Sequence, residues 1–303
     1  MNKKYIYIIS AIAIILIALT ISAIFLIPLF QKPEFKILEN GMLKISKKEN
    51  IKFEISDLES NEYFKISKVN YSSIGTNVFG LILEPPVIFK LPGAVLLPGS
   101  GVSKEAELNT AATIASLGFV VIILDQRGVG ESQYPLEDLS QSYKLYQEGK
   151  RSSPHLMIYD ALIAADILRQ LPSVETENII YIGESMGGRN AIIASYFDIG
   201  SKGVLGISTS GFGFPKGDDP EIEKYISSID ADSYVGKLFP VKLAMIHNQF
   251  DPNIPIDAAL ATFQRSSEPR SLLLINDTSD ECKHGYCDTM HDALKTSLQF
   301  LLK

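Results

Sequence analysis

One serine in this chain is set up to act as a nucleophile. In Gly183-Glu184-Ser185-Met186-Gly187, Ser185 is flanked by glycines at a spacing of two on either side. The stretch Asn178-Ile-Ile-Tyr-Ile182 before it reads as a buried strand, and Gly187-Gly-Arg-Asn-Ala-Ile-Ile-Ala-Ser-Tyr196 after it reads as the opening of a helix. A G-x-S-x-G pentapeptide alone is common; on a strand, sharp turn and helix it lifts the serine oxygen clear of the chain. The glycines are required because neighbours this close to the serine leave no room for a Cβ.

A neutral hydroxyl is a poor nucleophile, so Ser185 needs a base within hydrogen-bond reach and a carboxylate to orient that base. The chain has four histidines. His155 opens a helical pattern, His247 ends an apolar run, and His291 lies in the last helical pattern. His284 lies in Cys282-Lys-His-Gly-Tyr-Cys287, on a loop between the final strand and the final helix, and is assigned as the base ahead of His291. Asp251, directly after the apolar run 243–246 in Asn248-Gln-Phe-Asp-Pro-Asn-Ile-Pro255, is assigned as the orienting acid. A turn or helix-capping aspartate is the competing reading of Asp251, since Asp-Pro opens turns, and Asp277 and Asp280 are the substitutes. The chain order Ser185, Asp251, His284 is nucleophile, acid, base.

Cys282, His284, Cys287 and His291 also form a C-x-H-x2-C-x3-H cluster. This spacing is not a standard zinc signature, and zinc would remove His284 from Ser185, so no metal is expected. A disulfide between Cys282 and Cys287, holding the histidine loop, is expected in an oxidising compartment.

The elements that must carry these residues follow from hydrophobic patterning. Residues 35–70 contain short alternating stretches (42–46, 51–55, 63–66) that read as antiparallel strands with one wet face, followed by a strand at 78–83. From residue 94 onward, solidly apolar runs at 94–97, 119–124, 179–182, 204–207, 243–246 and 272–275 alternate with helical patterns at 104–117, 154–171, 187–197, 255–263 and 288–302. Strands apolar on both faces belong inside a parallel sheet covered by helices. The expected architecture is one doubly wound α/β domain over 35–303 with an antiparallel N-terminal edge. Two long connections, 132–153 and 211–240, are expected to form lids and substrate walls, offering Tyr134, Tyr143, Tyr146, Phe212, Phe214, Tyr225 and Tyr234. Local packing of the insertions is the competing reading of each aromatic.

The 303 residues, 46% hydrophobic, suffice for a sizeable core. A formal charge of −7 and no basic cluster interleaved with aromatics argue against nucleic acid as a partner. Residues 5–30 form an uncharged apolar stretch after Lys3 and Lys4. As a helix it would span about 39 Å, enough to cross a hydrocarbon core of roughly 30 Å. Residues 1–34 are therefore read as an uncleaved membrane anchor in preference to a signal peptide, whose apolar region is shorter. The lysines after the segment pull the remainder inward by the positive-inside rule, whereas a very short basic N-terminus is export-like. The expectation is a catalytic part outside the cytoplasm.

On these residues, the region from about Lys65 to Lys303 resembles the α/β-hydrolase fold. The resemblance maps Ser185 onto the nucleophile elbow, Asp251 onto the acid after the seventh strand and His284 onto the base after the eighth. Asp125-Gln-Arg-Gly-Val-Gly-Glu-Ser132 resembles the D-x-R-G-x-G-x-S turn of the serine aminopeptidase-like, dienelactone-hydrolase-like and prolyl-peptidase-like branches. It also implies that the oxyanion is received by the N–H of Met186 and by one from Pro98-Gly-Ser-Gly-Val102, with Ser100 chosen ahead of Gly101. This loop departs from the more familiar His-Gly start. Arg127 and Glu131 are read as fixing their turn rather than binding substrate, and Arg189 carries the same ambiguity.

The resulting expectation is a membrane-anchored serine hydrolase that cleaves a small-molecule ester through an acyl-enzyme, without cofactor. A peptidase-like amide hydrolase and a non-catalytic binding module on the same fold are the alternatives. The sequence leaves the substrate and the oligomeric state open.

Overall fold

The computed structural model describes residues 35–45, 51–214 and 219–303. The segment 5–30, expected to be an anchor, lies outside the described residues. Among those described, no helix is long and apolar enough to cross a membrane.

A small ribbon of β1 (Phe35–Ile37) and β2 (Leu43–Ile45) precedes the main sheet. The main sheet has nine strands: β3 (Phe53–Ser60), β4 (Lys65–Ser73), β5 (Thr76–Glu84), β6 (Leu91–Leu97), β7 (Val120–Leu124), β8 (Val174–Glu184), β9 (Gly203–Ile207), β10 (Lys242–Asn248) and β11 (Arg270–Ile275). Their spatial order is β11-β10-β9-β8-β6-β7-β5-β4-β3. Strands β6 to β11 pair in parallel, while β3, β4 and β5 pair antiparallel along one edge.

The central strands are apolar because both faces are covered, as β7 and β9, buried at every position, illustrate. One face, carrying Leu96, Ile123, Ile182 and Ile207, packs against α1 (Leu108–Ser116) and α7 (His291–Leu302). The helices α3 (Ser153–Leu168) and α4 (Met186–Phe197) pack on each other and on β6 and β8. Helix α3 is apolar nearly all round and buried nearly all round, as a helix between two layers must be.

The order reverses at β6 and β8: the chain passes from β6 outward to β7, then returns to β8 and continues the other way. The loops after these two adjacent strands therefore part at their carboxyl ends and leave a crevice, the usual ligand site of an open α/β sheet. Ser100 follows β6, and Ser185 follows β8.

Edge strand β3 departs from the expected pattern. It is largely exposed along its whole length, including Ile55 and Leu58, because no layer among the described residues covers it. The insertions carry helices of their own. They contain α2 (Leu139–Gln147), started by a capping box between Asp138 and Gln141, and α5 (Pro220–Ile229), capped by Asp219. Helix α6 (Ile256–Arg265) lies between β10 and β11.

Candidate active site

Ser185 stands between β8 and α4 with φ 52° and ψ −118°, a conformation that costs a non-glycine residue on the order of 1–3 kcal/mol. Its surroundings hold it there. The Ser185 N–H donates to Ile207 O at 3.0 Å, and its carbonyl accepts from Thr209 Oγ1 at 2.7 Å and from the Arg189 N–H at 3.2 Å. A Cβ on Gly183 would lie 2.2 Å from Gly187 O, and one on Gly187 would lie 2.0 Å from Leu97 O. The two glycines of the motif are thus where backbone meets backbone.

Asp251 and His284 are joined. His284 Nδ1 lies 2.8 Å from Asp251 Oδ2 and 3.0 Å from Oδ1. Asp251 Oδ1 also accepts the N–H groups of Asn253 at 2.8 Å and Ile254 at 2.9 Å, which fixes the carboxylate plane. Burial alone would raise the Asp251 carboxyl; the hydrogen bonds from His284, Ile254 and Asn253 outweigh it and hold the group below its ordinary value. Asp251 therefore remains an anion near neutrality and selects the tautomer that leaves His284 Nε2 uncommitted.

No hydrogen bond links the Ser185 hydroxyl to this imidazole in the structure. The residues beside them do touch. Glu184 Oε2 accepts the Tyr286 N–H at 3.2 Å, and a Cβ on Gly285 would come within 2.6 Å of the same oxygen. The loop carrying His284 is thus pinned to the residue before Ser185, and catalytic hydrogen bonds of this kind commonly tighten only when substrate is bound.

Two of the other histidines are committed elsewhere. His155 is buried between the Ser152 and Ser228 hydroxyls, and burial pulls it down to about 4. His247 Nε2 lies 2.9 Å from Ile254 O. His291 is the first residue of α7. Cys282 and Cys287 are bonded to each other, so the metal alternative loses two of its four donors. Of the substitute acids, Asp277 faces Ser279, and Asp280 forms an ion pair with Lys283.

The loop after β6 approaches Ser185 directly, with a Cβ on Gly99 placed 3.6 Å from Ser185 Cβ. Gln126 Nε2 donates to Pro98 O, and Asn190 Nδ2 donates to Gln126 Oε1 at 2.7 Å, tying that loop to α4. Ser100 and Met186 line one cavity of about 470 Å³, together with Leu136, Met157, Arg189 and Phe212.

The Asp125–Ser132 turn is structural in every polar member. Asp125 binds the Lys104 ammonium at 2.7 Å and the Glu131 N–H at 2.8 Å. Fully buried Arg127 pairs with Asp160 at 2.7 Å, and Ser132 Oγ accepts the Phe79 N–H. Glu131 is held by Lys68 and Lys104.

Most aromatics of the insertions pack locally and do not line this cavity. Tyr225 and Tyr234 are fully buried, and the rings of Tyr143, Tyr146 and Tyr225 pack together. Tyr134 covers the Arg127 guanidinium. Phe212 is the exception. Glu184 is a residue that sequence reasoning passed over. Burial, and after it the neighbouring Glu107 carboxyl, push its carboxyl well above the ordinary glutamate range. Its position as the variable residue before the serine carried no signal of that burial.

No protein-family model matches the chain, and a search of curated proteins finds no match. Many solved structures share its fold. Acetyl xylan esterase 1 from Thermoanaerobacterium sp. JW/SL YS485 is 15% identical, with a TM-score of 0.68, over 84% of this chain and 89% of that one. An acetyl xylan esterase from Paenibacillus sp. R4 gives 16% identity and a TM-score of 0.67, over 83% and 89%. An S-formylglutathione hydrolase from Agrobacterium tumefaciens gives 17% identity and a TM-score of 0.62, over 82% and 99%. At these identities the likeness speaks to architecture, and the chain has the α/β-hydrolase fold.

Proposed function

We propose that this protein is a serine hydrolase that cleaves a carboxylic ester through an acyl-enzyme. In this reading, Ser185 attacks the carbonyl, and His284 Nε2 takes its proton and returns it to the leaving alcohol. Asp251 holds the imidazole and stabilises the imidazolium, and the N–H groups of Ser100 and Met186 receive the oxyanion. Water, activated by the same imidazole, releases the acid and restores the serine. The observation that carries the reading is the Asp251–His284 pair, anchored beside the strained turn of Ser185 at the carboxyl edge of the sheet. The esterases among the fold's solved examples favour an ester over an amide. In the same proposal, residues 5–30 anchor the chain in a membrane and the catalytic part faces an oxidising compartment, in keeping with the Cys282–Cys287 disulfide.

Nitrophenyl esters of increasing acyl length, assayed beside aminoacyl amides, test the reading. Ester turnover that is lost in Ser185→Ala supports it. Activity confined to aminoacyl amides would replace it with a peptidase, and no activity on either series would favour a binding module.

A further inference from the structure

Three charged residues near the site have ambiguous roles in the sequence, and the structure separates them. Arg127 is paired with Asp160, and Glu131 with two lysines. Arg189 has no such partner: among the described residues it makes no ion pair. Its Nε donates to Ser210 O at 3.2 Å, and its guanidinium carbon stacks 4.2 Å from the centre of the Phe212 ring. The two terminal nitrogens form no hydrogen bond with any described residue.

This arrangement is unfavourable in two ways. A guanidinium half-withdrawn from water, with neither terminal nitrogen meeting an acceptor among the described residues, forfeits hydration it does not recover. It also lies in the first turn of α4, where the helix dipole disfavours positive charge. Burial accordingly pulls Arg189 below its ordinary value, and the nearby Asp230 and Asp232 only partly oppose that effect. Both of these carboxylates are engaged elsewhere. Asp230 accepts the N–H groups of Phe212 and Asp232, while Asp232 binds Thr262 and Arg265.

Arg189 is the one cation among the described residues that line the 470 Å³ cavity, which it shares with Ser100 and Met186. The cavity's own carboxylates are occupied: Glu137 accepts from Ser142 and from Ser153, and Asp138 caps α2. The rest of the wall is largely apolar. The two free terminal nitrogens of a stacked guanidinium, in a partly apolar cavity shared with Ser100 and Met186, match a carboxylate held end-on.

We propose that the ester cleaved at this site carries a carboxylate, which Arg189 binds in this cavity. The inference rests on the serine-hydrolase reading above and adds the substrate's charge to it.

The test uses the full chain and two matched pairs of esters. Nitrophenyl hemisuccinate against nitrophenyl succinamate places the charge on the acyl side; acetyl glycolate against acetyl glycolamide places it on the alcohol side. In at least one pair, kcat/KM for the acid should exceed that for the amide by about tenfold or more, the range of a charge-assisted hydrogen bond. Arg189→Gln should reduce that ratio at least tenfold, and Arg189→Lys should keep part of it. A ratio of one or less in both pairs for the unaltered protein overturns the inference without recourse to any variant, as does a preference that survives Arg189→Gln. Fluorophosphonate labelling distinguishes the two levels. If Ser185 is labelled but no acid is preferred, only the inference falls; if Ser185 is not labelled and no ester is cleaved, the serine-hydrolase reading falls and takes the inference with it.

Discussion

Replacing Glu184 by glutamine keeps its shape and removes its titration, which isolates the consequence of burying a carboxyl next to Ser185. The side chain is 8% exposed, and Oε1 has no hydrogen-bond partner among the described residues. Burial and the Glu107 carboxyl raise it well above the ordinary value of 4.5. A group raised in this way binds more protons in the folded state than in the unfolded one. Its contribution to stability is therefore fully present below the ordinary value and is lost as pH rises toward the folded value. The loss is at most about 1.36 kcal/mol per pH unit, or roughly 2.7 kcal/mol between pH 5 and pH 7. Glutamine has no such loss. The difference in unfolding free energy, Glu184→Gln minus unaltered, should thus grow as pH rises over that interval, by no more than about 2.7 kcal/mol. Urea unfolding of both proteins in matched buffers measures it. Parallel stability curves from pH 5 to pH 7 would refute the reasoning, because they would mean that Glu184 titrates like a solvated carboxylate.

Three further outcomes follow from particular contacts. In Asp251→Asn, the Asn253 and Ile254 N–H groups keep the carbonyl oxygen and turn the amide NH2 toward His284 Nδ1; ester turnover should fall about 1,000- to 10,000-fold, while a loss below tenfold would remove Asp251 from the chemistry. Arg127→Met strips buried Asp160 of its counter-charge and should cost about 3–5 kcal/mol in urea unfolding, and a cost under about 1 kcal/mol would contradict the pairing. Mass spectrometry without reduction should find no free thiol at Cys282 or Cys287, and reduction should cost about 2 kcal/mol of stability for so short a loop; two free thiols in the purified protein would exclude the disulfide.

The parallel sheet was legible because its strands are buried on both faces and so read as short solid runs, such as 119–124. The elbow was legible because backbone crowding at Gly183 and Gly187 forces glycine at a fixed spacing from Ser185. His284 and Asp251 could be chosen because strand order dictates which loops reach the carboxyl edge. What the sequence hid depends on contacts between distant residues. The aromatics of the insertions turned out to bury one another, as Tyr143 and Tyr225 do, and their spacing says nothing of that. Helices α2 and α5 are short and are settled by caps and by packing on each other more than by a long apolar stripe. Glu184 was passed over and Arg189 left ambiguous for the same reason: whether a charged residue is paired, buried or free to meet a ligand is decided by chain segments far away in sequence.

The central claim is that Ser185 is a nucleophile activated by His284. Peptide mapping after fluorophosphonate treatment tests it most directly. One stoichiometric adduct on Ser185 is expected, absent in Ser185→Ala and strongly slowed in His284→Ala. An unmodified Ser185, or labelling whose rate is indifferent to His284, would contradict it.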